Sequence, residues 1–440
     1  VPEPPLRWRG HVGRHHVRGV EVKRAAILVL LARTAAADPL DEIGIGAAAT
    51  GMANARSAIA TGAEATHLDP AGVARASGPE LLVGYQYSID HLSIDEHDAG
   101  VIDAHGTTIA LAIPVALGGD LRVGFGTALY LPDQFLARLQ LTPINEPHFA
   151  RFETQSQRIV VEPVAAISFG NLAVGAGASL LADARSKQLS FDVGVVGGDT
   201  QGQADLDISL PVRAAPLAGV WWHPHPKLDL AATFRGQLSL DLALDIRANV
   251  NVPGVVTGDA IVSIRSVGYF TPMRASIGGA FHATDDLVIT ADAAWEHWSA
   301  LGSGVPDLRV LIALDIAPPL VSSMQPPADF HDIVTTRLGA EWQRDHWRFR
   351  AGAAYLPSPI PAQTGITSFA DGSRIAGTAG AGLHVDPGAI LTKPLDIDLA
   401  VGWQHVSHAL VHKDMDLDPG GAYSSGGDIV QASVSTTVRF

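Results

Sequence analysis

The alternation of apolar and polar residues is most regular between Leu228 and Ile246. Leucine, phenylalanine and isoleucine fill one parity of this stretch, while aspartate, threonine, arginine and glutamine dominate the other. Because successive side chains of a β-strand point to opposite faces, the stretch has one apolar and one polar face. We predict a single strand here, longer than the roughly five or six residues usual in globular proteins. A long strand with two such faces is typical of a membrane β-barrel.

About fourteen segments with a period of two follow one another between residues 80 and 440, including 205–222 and 259–282 as single strands. Short connections such as Gly118-Gly119 alternate with long ones such as 301–329. Outer-membrane barrels have short periplasmic turns and long external loops. The pattern therefore predicts an all-β fold, a transmembrane antiparallel β-barrel of about 14 strands, over residues 80–440.

Composition supports a barrel rather than helical spans. The mean hydropathy is +0.19, although no apolar run reaches the roughly 20 residues that a membrane-spanning helix needs. The chain has no cysteine, which excludes disulfides and thiolate metal sites. Its net charge of −15 argues against a nucleic-acid partner. We expect no metal and no cofactor.

The amino end has the order of a secretory signal. Lys23-Arg24 precede the apolar run Ala25–Ala32, and small residues follow up to Ala37. We predict that residues 1–37 are an N-terminal extension plus a cleaved signal peptide. Val1–Gly19 is either sequence translated in error or a real basic extension.

Aromatic residues and the carboxyl end also fit a barrel. Aromatic residues flank the short connections at Trp221-Trp222, Phe281, Trp342 and Trp347, and stand at the far strand ends at Tyr130, Trp295 and Trp298, as interfacial aromatic girdles require. Eight tryptophans could also fall there by chance. The last strand alternates up to Phe440 and resembles the signal read by the outer-membrane assembly machinery, which we expect as a partner.

The segment after the signal resembles the hatch of the FadL-type outer-membrane transporters for long-chain fatty acids and aromatic hydrocarbons. The stretch Gly44–Ala74 is rich in glycine and alanine, and near its end it contains Asp69-Pro70-Ala71-Gly72, where the family has Asn in place of Asp69. Trp295–Ser299 and residues 332–361 also resemble family segments. The resemblance implies a fourteen-stranded barrel with residues 38–79 as a hatch inside its lumen.

It further implies a monomeric channel in the outer membrane of a Gram-negative bacterium, which takes up a hydrophobic small molecule passively. The substrate would leave sideways into the membrane lipids at a kink in the third strand. The candidate hatch and gate residues are Asp69, Pro70, Ala71, Gly72, Gly124 and Gly126. The glycines at 124 and 126 could equally be present only because small residues fit a crowded lumen, without any role in a gate.

Two further groups are candidates for substrate contact. In the loop 132–154, one helical face would carry the capture residues Phe135, Leu136, Leu139 and Leu141, although that helix could instead pack on neighbouring loops. Lumen-facing parity places Arg235, Arg348 and Arg350 as possible anchors for a carboxylate.

Other functions have weaker support. A barrel with a structural or adhesive role is the alternative, and an enzyme ranks third, with no catalytic residue expected. His405 and Ser407 share a face, but His408 points away. Glu64 and His67 lack a third metal ligand, and the acidic residues 414–418 lack the glycine and glutamate of a calcium loop.

Overall fold

Fourteen antiparallel strands close into a ring in the computed structural model. The structure describes residues 40, 44–133, 146–149, 151–152, 159–182, 185–196, 199–209, 212–252, 256–301, 307–314, 320–324, 329–364, 367–388, 392–413 and 421–440. Each ring strand pairs with the next, and the first pairs with both the second and the last. The ring strands are β1 (Glu80–Ile94), β3 (Ala104–Gly118), β4 (Leu121–Pro132), β5 (Val160–Phe169), β6 (Leu172–Ala182), β9 (Val212–His225), β10 (Leu228–Arg235), β13 (Arg274–His282), β14 (Leu287–Glu296), β17 (Ile333–Arg344), β18 (Trp347–Leu356), β19 (Arg374–Val385), β20 (Leu395–Val411) and β21 (Tyr423–Arg439).

Seven other strands lie outside this ring among the described residues. Strand β2 (His97–Asp98) extends the end of β1. The other six form a second sheet, in which β7 and β11 are parallel neighbours. They are β7 (Arg185–Val196), β8 (Asp199–Ser209), β11 (Leu238–Val252), β12 (Val256–Thr271), β15 (Asp307–Leu314) and β16 (Leu320–Met324).

The predicted barrel of about 14 strands is confirmed, but the strand predicted over Leu228–Ile246 is wrong. It divides into β10 and β11, and at the break the N–H of Gly236 donates to the carbonyl of Pro216. Segments 205–222 and 259–282 divide in the same way. A period of two assigns faces, yet it does not distinguish a ring strand from its continuation into another sheet. Leu242 therefore lies in the second sheet rather than in the ring.

Residues 44–76, the inner segment, lie inside the ring. They contain the helical turns Ala47–Thr50 and Ala65–Leu68 and the 3₁₀ helix Pro70–Arg75; most of them are buried and none is exposed. Their hydrogen bonds reach strands on different sides of the ring. Ala47 N–H donates to Ser435 Oγ at 3.0 Å in β21, and Trp221 Nε1 in β9 donates to the carbonyl of Ala58 at 3.0 Å. Small side chains allow this close packing.

The aromatic girdle is only partly as predicted. Trp295 is exposed at the end opposite the short turns, and four predicted residues are exposed beside those turns: Trp222, Phe281, Trp342 and Trp347. Trp221, Trp298 and Tyr130 are buried instead, so their assignment to the girdle is wrong. Trp221 faces the lumen because its parity in β9 is opposite to that of Trp222. Among the described residues, none of the helices is both long and apolar enough to span a membrane.

Candidate functional site

A small cavity of about 40 Å³ lies between the inner segment and the ring. Its lining combines apolar side chains with three guanidinium groups and one carboxylate. These residues include Leu68, Leu217, Phe234, Arg235, Arg274, Arg337 and Asp292. A cavity of this size holds little more than a water molecule or two. A larger ligand therefore requires the inner segment or the loops to move.

A buried ion cluster adjoins this cavity and joins the inner segment to two wall strands. His67 Nδ1 lies 2.8 Å from Glu162 Oε2, and Arg235 Nη1 lies 3.4 Å from Glu162 Oε1. Arg235 Nη2 also donates to the carbonyl of His67 at 2.9 Å. Glu162 is fully buried, and a buried carboxylate requires such partners. We call His67, Glu162 and Arg235 the His67 cluster.

A second cavity, of about 340 Å³, lies at the short-turn end of the ring and is strongly charged. An ion ladder borders it and links the inner segment to β17, β18 and β20. Arg56 pairs with Glu64 at 2.8 Å and with Glu341 at 3.0 Å. Arg350 continues the ladder to Glu341 at 2.6 Å and to Asp398 at 2.5 Å. In this ladder, acidic and basic side chains therefore alternate, and each charge lies beside a charge of opposite sign.

The three predicted arginine anchors do not lie together. Arg235 borders the small cavity, whereas Arg348 and Arg350 line the charged cavity. Arg348 Nη1 lies 3.4 Å from Asp396 Oδ2. Parity placed all three in the lumen correctly, but it carries no information on their height within the barrel. Among the three, Arg235 remains the candidate anchor.

Asp69 and Pro70 begin the 3₁₀ helix of the inner segment and lie against glycines of the wall. The backbone of Asp69 is extended, and its Oδ1 accepts the Ala71 N–H at 3.0 Å. A side chain at Gly219 would collide with Asp69, and one at Gly175 would collide with Pro70. Burial raises the pKa of Asp69 to about 7, although the Ala71 N–H and Arg75 lower it. Its Oδ2 has no hydrogen-bond partner among the described residues.

The structure places Gly72, Gly124 and Gly126 at close contacts. Gly72 has an ordinary backbone angle, and a glycine is needed there because a Cβ would collide with the carbonyl of Ala60. A Cβ at Gly124 would lie 2.7 Å from backbone atoms of Val73 and Ala74. A Cβ at Gly126 would lie 2.7 Å from the Thr66 side chain. The gate role of these residues stays a prediction.

The third ring strand, β4, shows no opening. Its pairing with β5 is continuous from Leu121 to Tyr130, and its pairing with β3 is irregular only beside the turn at Gly118. The pairing of this strand therefore has no gap, and an exit at the third strand stays a prediction. Glycines allow close contact with the inner segment without interrupting the ladder, which explains why they are present in a regular strand.

The remaining candidates are the capture residues and the residues considered for enzyme or metal chemistry. The capture residues Phe135, Leu136, Leu139 and Leu141, and the acidic residues 414–418, lie outside the described residues. Ser407 Oγ donates to the carbonyl of Ser373 at 2.8 Å, and His405 faces Asp428 at 2.9 Å, so they form no nucleophile–base pair. In the described part of the chain, no group of three or more His, Asp or Glu residues is placed to hold a metal.

Sequence reasoning missed Glu162, Gly175 and Gly219. Glu162 had a detectable signal, since an acidic residue at the lumen parity beside Pro163 is unusual in an apolar strand. Gly175 and Gly219 lie in glycine- and alanine-rich strands, where no sequence pattern marks which glycine contacts the inner segment. Such contacts depend on how the inner segment packs in three dimensions.

Comparisons with known proteins agree with the resemblance found in the sequence. A profile of the family described as "Outer membrane protein transport protein (OMPP1/FadL/TodX)" matches residues 216–440. The fold is similar to the crystal structure of a Pseudomonas aeruginosa FadL homologue, with a TM-score of 0.58 and 17% identity over 90% of this chain and 98% of that one. No curated protein sequence matches.

Two further solved structures share the fold. The CymD monoaromatic hydrocarbon channel has a TM-score of 0.53 and 15% identity over 92% of this chain and 99% of that one. The Pseudomonas putida toluene transporter TodX has a TM-score of 0.52 and 17% identity over 90% and 98%. At these identities the likeness concerns the fold alone.

Proposed function

Because the chain belongs to the outer membrane protein transport protein family (OMPP1/FadL/TodX), we propose that it is a channel for passive uptake of hydrophobic compounds across the outer membrane of a Gram-negative bacterium. The inner segment acts as the hatch of this channel. The exposed apolar rows of the ring, such as Leu399 and Val401 in β20, provide the lipid-facing surface that this location requires.

The small cavity favours long-chain carboxylates over neutral hydrocarbons as substrates. Arg235, Arg274 and Arg337 line it together with Asp292, and Glu162 pairs with Arg235 beside it. The grouping of three guanidinium groups beside Leu68 and Leu217 suits a molecule with an apolar body and an anionic head. The observation that carries this proposal is the placement of three guanidinium groups around one cavity.

The route follows from the polarity of the lumen. External loops, with Phe135, Leu136, Leu139 and Leu141 as candidate residues, capture the substrate, which then passes to the small cavity. The charged cavity at the short-turn end disfavours an apolar chain. Sideways exit through the wall into lipid is therefore the favoured path.

The chain acts as a monomer in this proposal, and its last strand, which ends at Phe440, is recognised by the outer-membrane assembly machinery. A barrel with a structural or adhesive role is the alternative. It predicts correct assembly without uptake of any hydrophobic tracer.

Uptake measurements test the proposal. Cells lacking other uptake channels would express the protein and receive a radiolabelled long-chain fatty acid or, separately, an alkane of equal length. We expect saturable uptake of the acid and weaker uptake of the alkane. Arg235→Gln should reduce acid uptake selectively, while Arg348→Gln, in the charged cavity, should leave it near the unmodified level. Equal loss for acid and alkane would contradict the anchor role.

A further inference from the structure

The seam between β5 and β6 is interrupted within the ring. The strands pair at Val160 and Val161 and again from Val164 to Phe169, in the same register. At Glu162 and Pro163, opposite Ser179 and Ala178, pairing lapses. Pro163 has no N–H to donate, which accounts for part of this interruption. On their other sides both strands pair continuously through this position, with β4 and β9 respectively.

The inner side of this interruption borders the small cavity through the His67 cluster. Glu162 belongs to the interrupted pair, and its carboxylate contacts His67 and Arg235. Both of these residues also line the small cavity. Across the seam, the buried Ser179 hydroxyl has no hydrogen-bond partner among the described residues. The cluster thus separates the cavity from the interrupted seam beside it.

The outer side of the interruption carries little side-chain cover. Pro163, Ala165 and Ala176 are exposed there, and Ala178 is half-buried. These side chains are small and apolar, so an alkyl chain crossing the seam would displace few atoms and meet no charge. A seam already lacking two pairs also loses fewer hydrogen bonds when it separates, and such losses are costly in lipid.

The inner segment is positioned to control this seam. His67 lies three residues before Pro70, and Pro70 at the start of the 3₁₀ helix lies against Gly175 in β6. A displacement of this part of the segment would move His67 relative to Glu162. A substrate carboxylate could then replace Glu162 as the partner of Arg235. The cluster can therefore respond to an occupied cavity.

We propose that the substrate leaves the small cavity between β5 and β6 at Glu162–Pro163, and that the His67 cluster is the gate of this exit. The proposal rests on the uptake function proposed above. It differs from the exit at the third strand, because β4 is continuously paired and the lapse lies at the next seam.

Disulfide staples test the exit because the chain contains no cysteine of its own. Pro163→Cys with Ala178→Cys would close the interrupted seam. Phe125→Cys with Ala165→Cys, at paired positions exposed on the outer face, would link β4 to β5 across a seam that is already paired. A disulfide holds its Cα atoms about 5.5–6 Å apart, so we expect oxidation of the first pair to reduce fatty-acid uptake about tenfold.

Reductant should restore uptake in the first variant, which shows that the substitutions themselves are tolerated. Oxidation of the second variant should leave uptake within about twofold of its reduced form, since a disulfide there only reinforces a seam that is already paired. Normal uptake through the oxidised 163–178 staple would overturn the proposed exit, and loss of uptake only with the 125–165 staple would assign it to the third strand. If the unmodified protein takes up no more tracer than cells without it, the uptake function itself fails, and the exit with it.

Glu162→Gln tests the gate. Removing the charge weakens the contacts to His67 and Arg235, so we expect faster uptake in a protein that assembles normally. Unchanged or slower uptake would remove the gate from the proposal, whichever seam the staples identify.

Discussion

Asp398 and Leu399 are neighbours in β20 and lie on opposite sides of the barrel wall. Asp398 is 4% exposed and pairs with Arg350 at 2.5 Å inside the ring, whereas Leu399 is 56% exposed on the outside. A single step along the strand therefore separates a charged lumen from the surface that contacts lipid.

Leu399→Arg should destabilise the barrel by roughly 2–4 kcal/mol if the position lies near the bilayer midplane, because a guanidinium there loses its hydration. Leu399→Ala is the matched control and should cost much less. Urea unfolding in lipid vesicles, followed by tryptophan fluorescence, measures both. Equal losses in the two variants would contradict the assignment of this face.

The ring could be predicted from sequence because lipid on one side and a packed lumen on the other impose a strict period of two. Ile397, Leu399 and Val401 show this period without any knowledge of the fold. The division at Gly236 could not be predicted, since β10 and β11 continue the same period while the chain passes from the ring to another sheet.

The site was less predictable than the ring. Parity placed Arg235, Arg348 and Arg350 in the lumen, but their separation into two cavities depends on how far each lies along its strand. The His67 cluster depends on two contacts of His67, one with a residue 95 positions away in the sequence and one with a residue 168 positions away. No local pattern encodes such distances.

Deletion of Phe440 should impair insertion in cells. Its N–H donates to the carbonyl of Pro79 at 2.9 Å beside the seam of β1 and β21. One hydrogen bond at a strand end contributes little to stability, about 1 kcal/mol. The shortened protein should therefore still refold from urea into detergent micelles. Phe440→Tyr, which keeps a terminal aromatic ring, should insert normally. Equal insertion of the deletion and the tyrosine variant would contradict recognition of this residue by the assembly machinery.

Asp69→Asn should stabilise the seating of the inner segment at neutral and higher pH. Asp69 belongs to the inner segment rather than to a spanning strand, and its pKa rises from the ordinary 3.8 to about 7 on burial. Folding therefore favours the protonated form. The stabilisation is fully present below pH 3.8 and is lost as the pH rises through about 7. The total effect is of the order of 4 kcal/mol.

Asparagine remains neutral, so the variant should lack this pH dependence. Amide hydrogen exchange of residues 65–75, measured in both proteins from pH 5 to pH 8, gives the difference directly. Parallel curves for the two proteins would mean that Asp69 does not titrate in this range.

Gly124→Leu should displace the inner segment while leaving the ring intact. The nearest atoms to a Cβ at this position belong to Val73 and Ala74 of the inner segment, so the added side chain would push on that segment rather than on a neighbouring strand. A substitution at Gly126 would also disturb the ring, because a Cβ there approaches the carbonyl of Leu111 in β3 at 2.8 Å. We therefore expect Gly124→Leu to insert normally and to show altered uptake of a hydrophobic tracer.

Gly377→Leu is the matched control, since a Cβ at that ring glycine has nothing within 4 Å. Mobility on unheated gels would compare assembly of the two variants, and protease sensitivity of residues 44–76 would report the position of the inner segment. Displacement should raise this sensitivity in Gly124→Leu alone. Because the segment carries His67 towards Glu162, its displacement should change uptake in the same variant. Altered sensitivity with unchanged uptake would show that the inner segment moves without controlling transport.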